Sequence, residues 1–233
     1  MKEIVVLKIG GSILSPSFDN IFDFSYAKQL KESLLTFSEN NQFILITGGG
    51  HLARKYMALA KENGANEREI DWAGTSSNNH NAVMLRVAFG NSAYDKALTY
   101  DHIENNSLKE FDEEFLMVGA NEPGHSGDYD TVVMANNYNT DRIYILKDVD
   151  GVYPVDPDNN PNAELIKDVS WEDYKKILGT DEFTPKMAVP FDPIATELAS
   201  KSNIKCIVLN GRKLDNLVKA IRGEEFIGTT IHT

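Results

Sequence analysis

The sequence predicts an α/β protein, a three-layer αβα sandwich with a mostly parallel central sheet. Short β-branched and apolar runs alternate with longer segments of helical spacing along the 233-residue chain. Three of these runs end in loops rich in glycine or aspartate, and ligands bind at such loops beyond the carboxyl ends of parallel strands. No linker or internal repeat interrupts the pattern, so we expect residues 1–233 to form a single domain.

Each predicted element follows from its own residues. The strands are short apolar runs that stop at turn residues, and they occupy 3–9, 42–47, 115–119, 142–148 and 204–209. The helices have apolar residues spaced three and four apart, and they occupy 26–37, 51–64, 75–98, 171–178, 191–202 and 213–223. A further helix begins near Asp128, and the chain closes with "GTTI", 228–231. Gly64 ends the second helix, whereas Gly90 weakens the third.

The chain is acidic, with 23 basic residues, 35 acidic residues and a formal net charge of −12. This charge disfavours nonspecific binding to nucleic acid or to anionic membranes, although a helix N-terminus can still bind a small anion. Apolar runs such as "FILIT" are too short to span a bilayer and no secretory pattern is visible, so we expect a cytoplasmic protein. The single cysteine, Cys206, lies in an apolar run that favours a buried structural thiol over a nucleophile.

Two glycine loops predict phosphate binding. In "LKIGGSIL", Gly10 and Gly11 let backbone N–H groups approach a phosphate, next to the positive charge of Lys8 and the hydroxyl of Ser12. In "TGGGHLAR", three glycines precede a helix that carries Arg54 about one turn further along. A tight turn with a solvated cation is the alternative for each loop. Neither loop matches GxxxxGK[ST] or GxGxxG, which weakens P-loop and Rossmann interpretations.

The loop "VGANEPGHSGDYDTVVMA", 118–135, is suited to a polar ligand. Pro123 stiffens it, its glycines permit positive φ, and its uncharged side chains offer hydrogen bonds. Asp128 falls at the start of a helix, where it either caps the helix or organises magnesium or a lysine.

Metal ligation by the protein itself is the weaker interpretation of the acidic loops. His125, Asp128 and Asp130 do not follow a zinc spacing. The loop "LKDVDGVYPVDPDNNP" contains several aspartates but lacks the EF-hand spacing and its terminal glutamate; these aspartates are Asp148, Asp150, Asp156 and Asp158. We therefore expect neither a zinc nor a calcium site.

Five motifs occur in the order seen in the amino acid kinase superfamily: "LKIGGS", "TGGGHLAR", "PGHSGD", "DVDGVYPVDP" and "GTTI". The set spans Leu7 to Ile231 and most resembles the archaeal-type uridylate (UMP) kinases. The resemblance implies the amino acid kinase (carbamate kinase-like) fold and transfer of the γ-phosphoryl group of ATP to UMP, with Mg²⁺ held by the ATP phosphates. It also implies an acceptor-binding lobe, about 1–138, an ATP-binding lobe, about 139–233, and a homohexamer.

The resemblance also implies roles for particular residues. Lys8 would stabilise the transferred phosphoryl group, and Asp128 would orient the lysine and the phosphates. The residues expected to contact ATP are Gly11, Ser12, Gly50, Arg54, Lys147, Tyr153 and Asp156. The residues expected to bind UMP are Gly49, Asp71, Asn121, Glu122, Pro123, Gly124, His125, Ser126 and Gly127. Among these, Asp71 would accept hydrogen bonds from the ribose.

Several positions depart from the pattern of that family. Asn78-Asn79 stands where Thr-Arg is usual and removes one positive charge, Ala120-Asn121 replaces Gly-Thr, and Lys147 stands where a small hydroxyl residue is common. These departures leave two alternatives open: a kinase for another small phosphate or carboxylate, and a non-catalytic nucleotide- or oxyanion-storing protein similar to molybdenum storage proteins. Isopentenyl phosphate kinases usually carry a histidine where this chain has Thr47.

Overall fold

The computed structural model describes residues 2–99, 101–105, 107–124, 126–155, 157, 159–160, 162–180 and 189–233. The strands are β1 (Glu3–Ile9), β2 (Asn41–Thr47), β3 (Phe115–Val118), β4 (Arg142–Lys147), β5 (Asp168–Ser170), β6 (Lys205–Asn210) and β7 (Thr229–His232). The helices are α1 (Gly11–Leu14), α2 (Phe24–Leu35), α3 (Gly50–Glu62), α4 (Glu67–Phe89), α5 (Asp101–Glu104), α6 (Gly127–Asn137), α7 (Trp171–Leu178), α8 (Pro193–Lys201) and α9 (Leu214–Arg222).

The strands form one sheet in the order β3-β2-β1-β4-β6-β7-β5. The five strands from β3 to β6 in this order are parallel, whereas β7 runs antiparallel to β6 and carries β5 at the edge. The chain moves outward from β1 through β2 and β3, and then returns to the other side of β1 as β4. This change of direction opens a crevice beyond the carboxyl ends of β1 and β4, where α/β sheets bind ligands.

Alternate side chains of each central strand face two different helical layers, because the side-chain period of a strand is two residues. In β1, Leu7 and Ile9 pack with buried residues of α2, α4 and α9, such as Leu30. Val6 of the same strand faces the opposite cluster, which includes Val132 of α6 and residues of α8. The predicted three-layer αβα sandwich is therefore confirmed.

Most predicted strands and helices end within two residues of the observed bounds. The helix predicted over 75–98 is wrong at both ends, because α4 runs from Glu67 to Phe89. Asn66 and Glu69 form a capping box that begins the helix early, and Gly90 ends it with a φ of 59°. The elements β5, α1 and α5 were not predicted, since three or four residues are too few to show a period.

Two smaller predictions concern the apolar segments. Cys206 is buried in β6, as predicted, and burial holds the pKa of its thiol well above the ordinary value. Among the described residues, no helix has both the length and the apolar character that crossing a bilayer requires.

Candidate active site

The carboxyl ends of β1, β2 and β4 open into one cleft of about 980 Å³. The two glycine loops line one side of this cleft, and the loop that follows β4 lines the other. Its volume is at the upper end of the range for small-molecule sites. The predicted convergence of three loops on a single crevice is confirmed.

Backbone hydrogen bonds tie the ends of these strands together. The amide of Gly10 donates to the carbonyl of Leu146 at 2.7 Å, and the amide of Gly48 donates to the carbonyl of Ile9 at 3.0 Å. The amide of Gly211 donates to the carbonyl of Lys147 at 2.8 Å. The floor of the cleft is thus fixed by the main chain, independently of the side chains that point into it.

Two lysines converge on one carboxylate at the centre of the cleft. Lys8 lies opposite Ile145 in the β1–β4 register, so Lys147 is two residues further along β4 and projects from the same face of the sheet. Asp128, in the first turn of α6, forms an ion pair with each lysine. Its Oδ1 lies 2.8 Å from the Nζ of Lys8, and its Oδ2 lies 3.3 Å from the Nζ of Lys147.

Burial and charge set the ionisation of these three groups. Burial raises the pKa of Asp128, but the two lysines outweigh it and hold that pKa below the ordinary value. Burial lowers the pKa of Lys8, yet the adjacent carboxylate outweighs burial and raises that pKa overall. For Lys147, burial and the positive charge of Lys8 together outweigh the attraction of Asp128 and lower the pKa to about 8.

Ser126, and not Asp128, caps helix α6. The hydroxyl of Ser126 accepts a hydrogen bond from the amide of Asp128 at 2.9 Å, which satisfies one of the free amides of the first turn. The carboxylate of Asp128 is therefore available for the two lysines. The cap interpretation of Asp128 is wrong, whereas its predicted position at the start of a helix is confirmed.

One side of the cleft is formed by the loop after β4. Ser12 donates a hydrogen bond from its hydroxyl to the carboxylate of Asp148 at 3.0 Å, and the guanidinium of Arg212 donates to the carbonyl of Ser12 at 3.0 Å. Tyr153 lies on this side together with apolar residues such as Val152. An apolar wall with a tyrosine and a few polar groups suits a nucleobase and its ribose.

The other side of the cleft is formed by α3 and α4. Asp71 lies in the second turn of α4, because this helix begins at Glu67 and not at residue 75 as predicted. Its Oδ2 accepts a hydrogen bond from the amide of Gly124 at 2.8 Å. Asn78 also lines this side, and Arg54 is held by a 2.7 Å contact between its Nη2 and the Nδ1 of His51.

The cleft brings together most residues predicted from the sequence. Those that line it are Lys8, Gly11, Ser12, Gly49, Gly50, Arg54, Asp71, Ser126, Gly127, Lys147 and Tyr153. Asp128 is not part of the lining, but it contacts Lys8 and Lys147, which are. The lining does not include Asn121, Glu122, Pro123 and Gly124. The predicted roles of His125 and Asp156 fall on residues outside the described ranges.

Asn121 is buried, with 1% of its surface exposed, and its Nδ2 has no hydrogen-bond partner among the described residues. The Nδ2 of Asn79 is also buried without a hydrogen-bond partner among the described residues. The Oδ1 of the same side chain accepts a 2.7 Å hydrogen bond from the amide of Ala120. The residues that differ from the usual family pattern, at 78–79 and 120–121, therefore lie together at the end of β3. They place two buried amide donors there without adding a charge.

Sequence reasoning assigned no role to three residues that contact the site: Asp148, Asp192 and Arg212. The "FDP" segment does carry a signal for Asp192, because an aspartate before proline is typical of a helix cap. Its contact with the residues around Asp128 depends on chain segments 64 residues apart, which no local pattern reveals.

The sheet, the glycine loops and the lysine pair around one aspartate define a phosphate-binding α/β enzyme of the kinase class. The amino acid kinase family matches residues 3–210, and the chain belongs to this family.

Relatives within the family are similar over almost the whole chain. The uridylate kinase of Pyrococcus abyssi is 30% identical, over 97% of this chain and 98% of its own. That of Methanobrevibacter smithii is 29% identical over the same shares. The crystal structure of the uridylate kinase from Archaeoglobus fulgidus has a TM-score of 0.82 and 30% identity, and the match covers 99% of this chain and 100% of the other.

Proposed function

We propose that this protein is a uridylate kinase that transfers the γ-phosphoryl group of ATP to UMP and yields ADP and UDP. The observation that carries the proposal is the pair of lysines, Lys8 and Lys147, held on Asp128 where the glycine loops of β1 and β2 meet. The similarity to uridylate kinases over nearly the full chain supports the choice of acceptor.

The proposed reaction requires positioning and charge neutralisation more than covalent chemistry. The bond from the γ-phosphorus to the β,γ-bridging oxygen breaks, ADP leaves with the electron pair, and a phosphate oxygen of UMP forms the new bond. Lys8 and Lys147 lie between the two sides of the cleft and neutralise the charge on the moving group. Backbone amides at Gly11 and Gly50 add donors for the phosphates.

No general base is required in this mechanism. The phosphate of UMP has a second pKa of about 6, so its attacking oxygen is already largely ionised at neutral pH. Asp128 is engaged by both lysines, and its lowered pKa makes it a poor proton acceptor. Its role is to hold Lys8 and Lys147 at fixed positions before the substrates arrive.

We propose that magnesium enters as part of the MgATP substrate. Among the described residues, no group of three or more His, Cys, Asp or Glu side chains is arranged to hold a metal ion. Magnesium usually takes one or two protein oxygens together with substrate phosphates and water. Asp148 and Ser12, which share a hydrogen bond at the edge of the cleft, supply oxygen atoms of that kind.

The proposed arrangement places the base and ribose of ATP on the side formed by residues after β4, with its phosphates reaching Gly50 and Arg54 at the start of α3, and UMP on the side formed by α4. This corresponds to an acceptor-binding lobe of about 1–138 and an ATP-binding lobe of about 139–233. Tyr153 and Asp156 would contact ATP, and Asp71, with the loop from Asn121 to Gly127, would surround UMP.

A homohexamer in the cytoplasm is part of the proposal by resemblance. Its support in the structure is an exposed apolar surface on α3 and α4, which includes Tyr56, Leu59, Val83 and Val87. Charged substitutions such as Val83→Glu are expected to lower the assembly state, measured by sedimentation velocity. A wild-type chain that sediments as a monomer at micromolar concentration would contradict the hexamer without affecting the kinase assignment.

A coupled assay of ADP release over a panel of nucleoside monophosphates tests the proposed reaction. We expect UMP to give the highest kcat/KM and Lys8→Met, which keeps the aliphatic length, to lower turnover by at least ~100-fold. Lys201→Met is the matched control, because Lys201 lies on the exposed side of α8 and its side chain is 71% exposed.

Two other results of this assay would support a different function. Turnover with a different small phosphate or carboxylate, but not with UMP, would identify another kinase of this family. Tight ATP binding without turnover on any acceptor would favour the non-catalytic nucleotide- or oxyanion-binding protein. The support for this alternative is the Asn78-Asn79 pair, which lacks the positive charge usual in the family, together with the altered loop around Asn121.

A further inference from the structure

Asp192 occupies the junction between α8 and the start of α6. The side chain caps α8, since its Oδ1 accepts a hydrogen bond from the amide of Ala195 at 2.8 Å. Its other oxygen, Oδ2, accepts a hydrogen bond from the hydroxyl of Ser126 at 2.5 Å. One carboxylate therefore satisfies donors from two helices, and it is buried, with 2% of the residue exposed.

The link between the two segments runs in both directions. The main-chain amide of Asp192 lies 3.3 Å from Oδ2 of Asp128 and donates to it. The hydroxyl of Ser126, which donates to the carboxylate of Asp192, accepts from the amide of Asp128. Residue 192 thus contacts both the cap of α6 and the carboxylate that holds the two lysines.

We propose that Asp192 is a positioning residue for phosphoryl transfer, which acts through Ser126 to fix the start of α6 and, with it, Asp128 and the adjacent acceptor side of the cleft. This inference rests on the proposed function for its kinetic consequences. Ser126 lines the cleft while Asp192 does not, so the effect of Asp192 on a substrate has to pass through its neighbours.

The contact of Asp192 with Ser126 can be tested separately from its cap of α8, because the two contacts use different oxygens of the carboxylate. An asparagine at 192 still offers an oxygen to the amide of Ala195, so α8 keeps its cap. Its nitrogen, however, cannot accept the proton of the Ser126 hydroxyl. A serine at 192 also caps α8 but is too short to reach Ser126. Asp192→Ser therefore breaks the link to Ser126. Asp192→Asn removes the charged acceptor of the Ser126 hydroxyl and leaves a group that can only donate to it, and both substitutions spare the cap.

A double-mutant cycle with Ser126 tests the inference. We expect Asp192→Asn to lower kcat/KM for UMP by about 10-fold, since small displacements of positioned groups have large effects on rate. Because the effect passes through Ser126, Asp192→Asn combined with Ser126→Ala is expected to be no worse than Ser126→Ala alone within about twofold. Losses that multiply, or wild-type kinetics in both Asp192 variants, would overturn the proposal.

The control is Asp23→Asn, which changes the cap of α2 in the same way at a residue that does not line the cleft. Its kinetics are expected to match those of the wild type. A structural role alone would lower the melting temperature of Asp192→Asn without a selective change in the KM for UMP.

Hydrogen exchange supplies a readout that does not depend on the acceptor. We expect Asp192→Asn to speed amide exchange in the peptide that spans the start of α6, whereas Asp23→Asn leaves this peptide unchanged. Unchanged exchange there in both Asp192 variants overturns the inference. If the wild type fails to phosphorylate UMP, the proposed function fails while this measurement still decides the role of Asp192.

Discussion

Gly11 and Gly50 approach each other so closely that neither tolerates a side chain. A Cβ on Gly11 would lie 2.1 Å from the backbone nitrogen of Gly50, and a Cβ on Gly50 would lie 2.1 Å from the carbonyl oxygen of Gly11. Gly50 also has a φ of 60°, which L side chains rarely adopt. The two phosphate-suited loops are therefore packed against each other, and this contact determines the shape of the cleft.

This contact predicts that Gly11→Ala is far more damaging than an ordinary glycine substitution. The added methyl group has to displace the backbone of the neighbouring loop, so we expect a loss of several kcal/mol in the free energy of unfolding, about 3 or more, together with loss of turnover. Urea denaturation and the ADP-release assay measure both effects.

The control is Gly64→Ala, since Gly64 has a φ of 80° but nothing within 4 Å of its Cβ position. This variant bears only the conformational cost of about 1 kcal/mol and keeps its activity. Equal effects of the two substitutions would show that the glycines serve backbone conformation alone.

Asp128→Asn is expected to impair both catalysis and stability. Turnover falls by at least ~10-fold, the size of a lost transition-state contact, because Lys8 and Lys147 are no longer held in place. Removing one partner of a buried ion pair costs about 3–5 kcal/mol, and we expect the lower end because Lys147 can release its proton.

Steady-state kinetics and chemical denaturation check these two effects of Asp128→Asn. Asp168→Asn is the matched control, because Asp168 pairs with His232 at 2.9 Å on the surface and such pairs contribute about 1 kcal/mol or less. An unchanged kcat in Asp128→Asn would remove Asp128 from the mechanism.

The lowered pKa of Lys147 predicts an alkaline limb in the activity profile. Above pH 8 the free enzyme loses the positive charge of Lys147, so kcat/KM for ATP is expected to fall there. Lys147→Arg keeps its charge at every accessible pH and is expected to lack this limb. Identical limbs in both proteins would assign the titration to a different group.

The same pKa has a defined effect on stability. Between about pH 8 and the unfolded value of 10.5, the unfolded chain holds a proton that the folded chain has lost. The free energy of unfolding therefore receives a contribution that rises with pH, by up to about 1.4 kcal/mol per pH unit. Lys147→Met is expected to lack this contribution. Chemical denaturation of both proteins at several pH values from 7.5 to 10, with their midpoints compared, measures the difference.

Asp71→Ala is expected to raise the KM for UMP while leaving the KM for ATP unchanged. A hydrogen bond to a charged group is worth about 1.5–3 kcal/mol, which corresponds to roughly 10–100-fold. Asp71→Asn keeps an oxygen that can accept from the amide of Gly124. Comparing it with Asp71→Ala therefore distinguishes loss of the loop contact from loss of the hydrogen bond to the ribose. Equal changes in both KM values for Asp71→Ala would indicate general damage to the cleft.

The fold and most of the residues that line the cleft could be predicted from the sequence. Apolar periodicity predicted the strands and helices, since local burial leaves a period of two or of about 3.6 residues in the chain. The start of α4 at Glu67 was not predicted, although its capping box, Asn66 with Glu69, is visible in the local sequence. The predicted start at 75 therefore placed Asp71 outside its helix.

The sequence by itself determined which residues are suited to bind phosphate: the glycines that leave space at the strand ends, and Lys8 and Arg54 beside them. Only the tertiary structure decided how charges are paired. Asp128 is 120 residues from Lys8, 19 from Lys147 and 64 from Asp192, yet it contacts all three, because the fold places β1 beside β4 and α8 beside α6. Ionisation depends on distances and burial, and these exist only after the chain has folded.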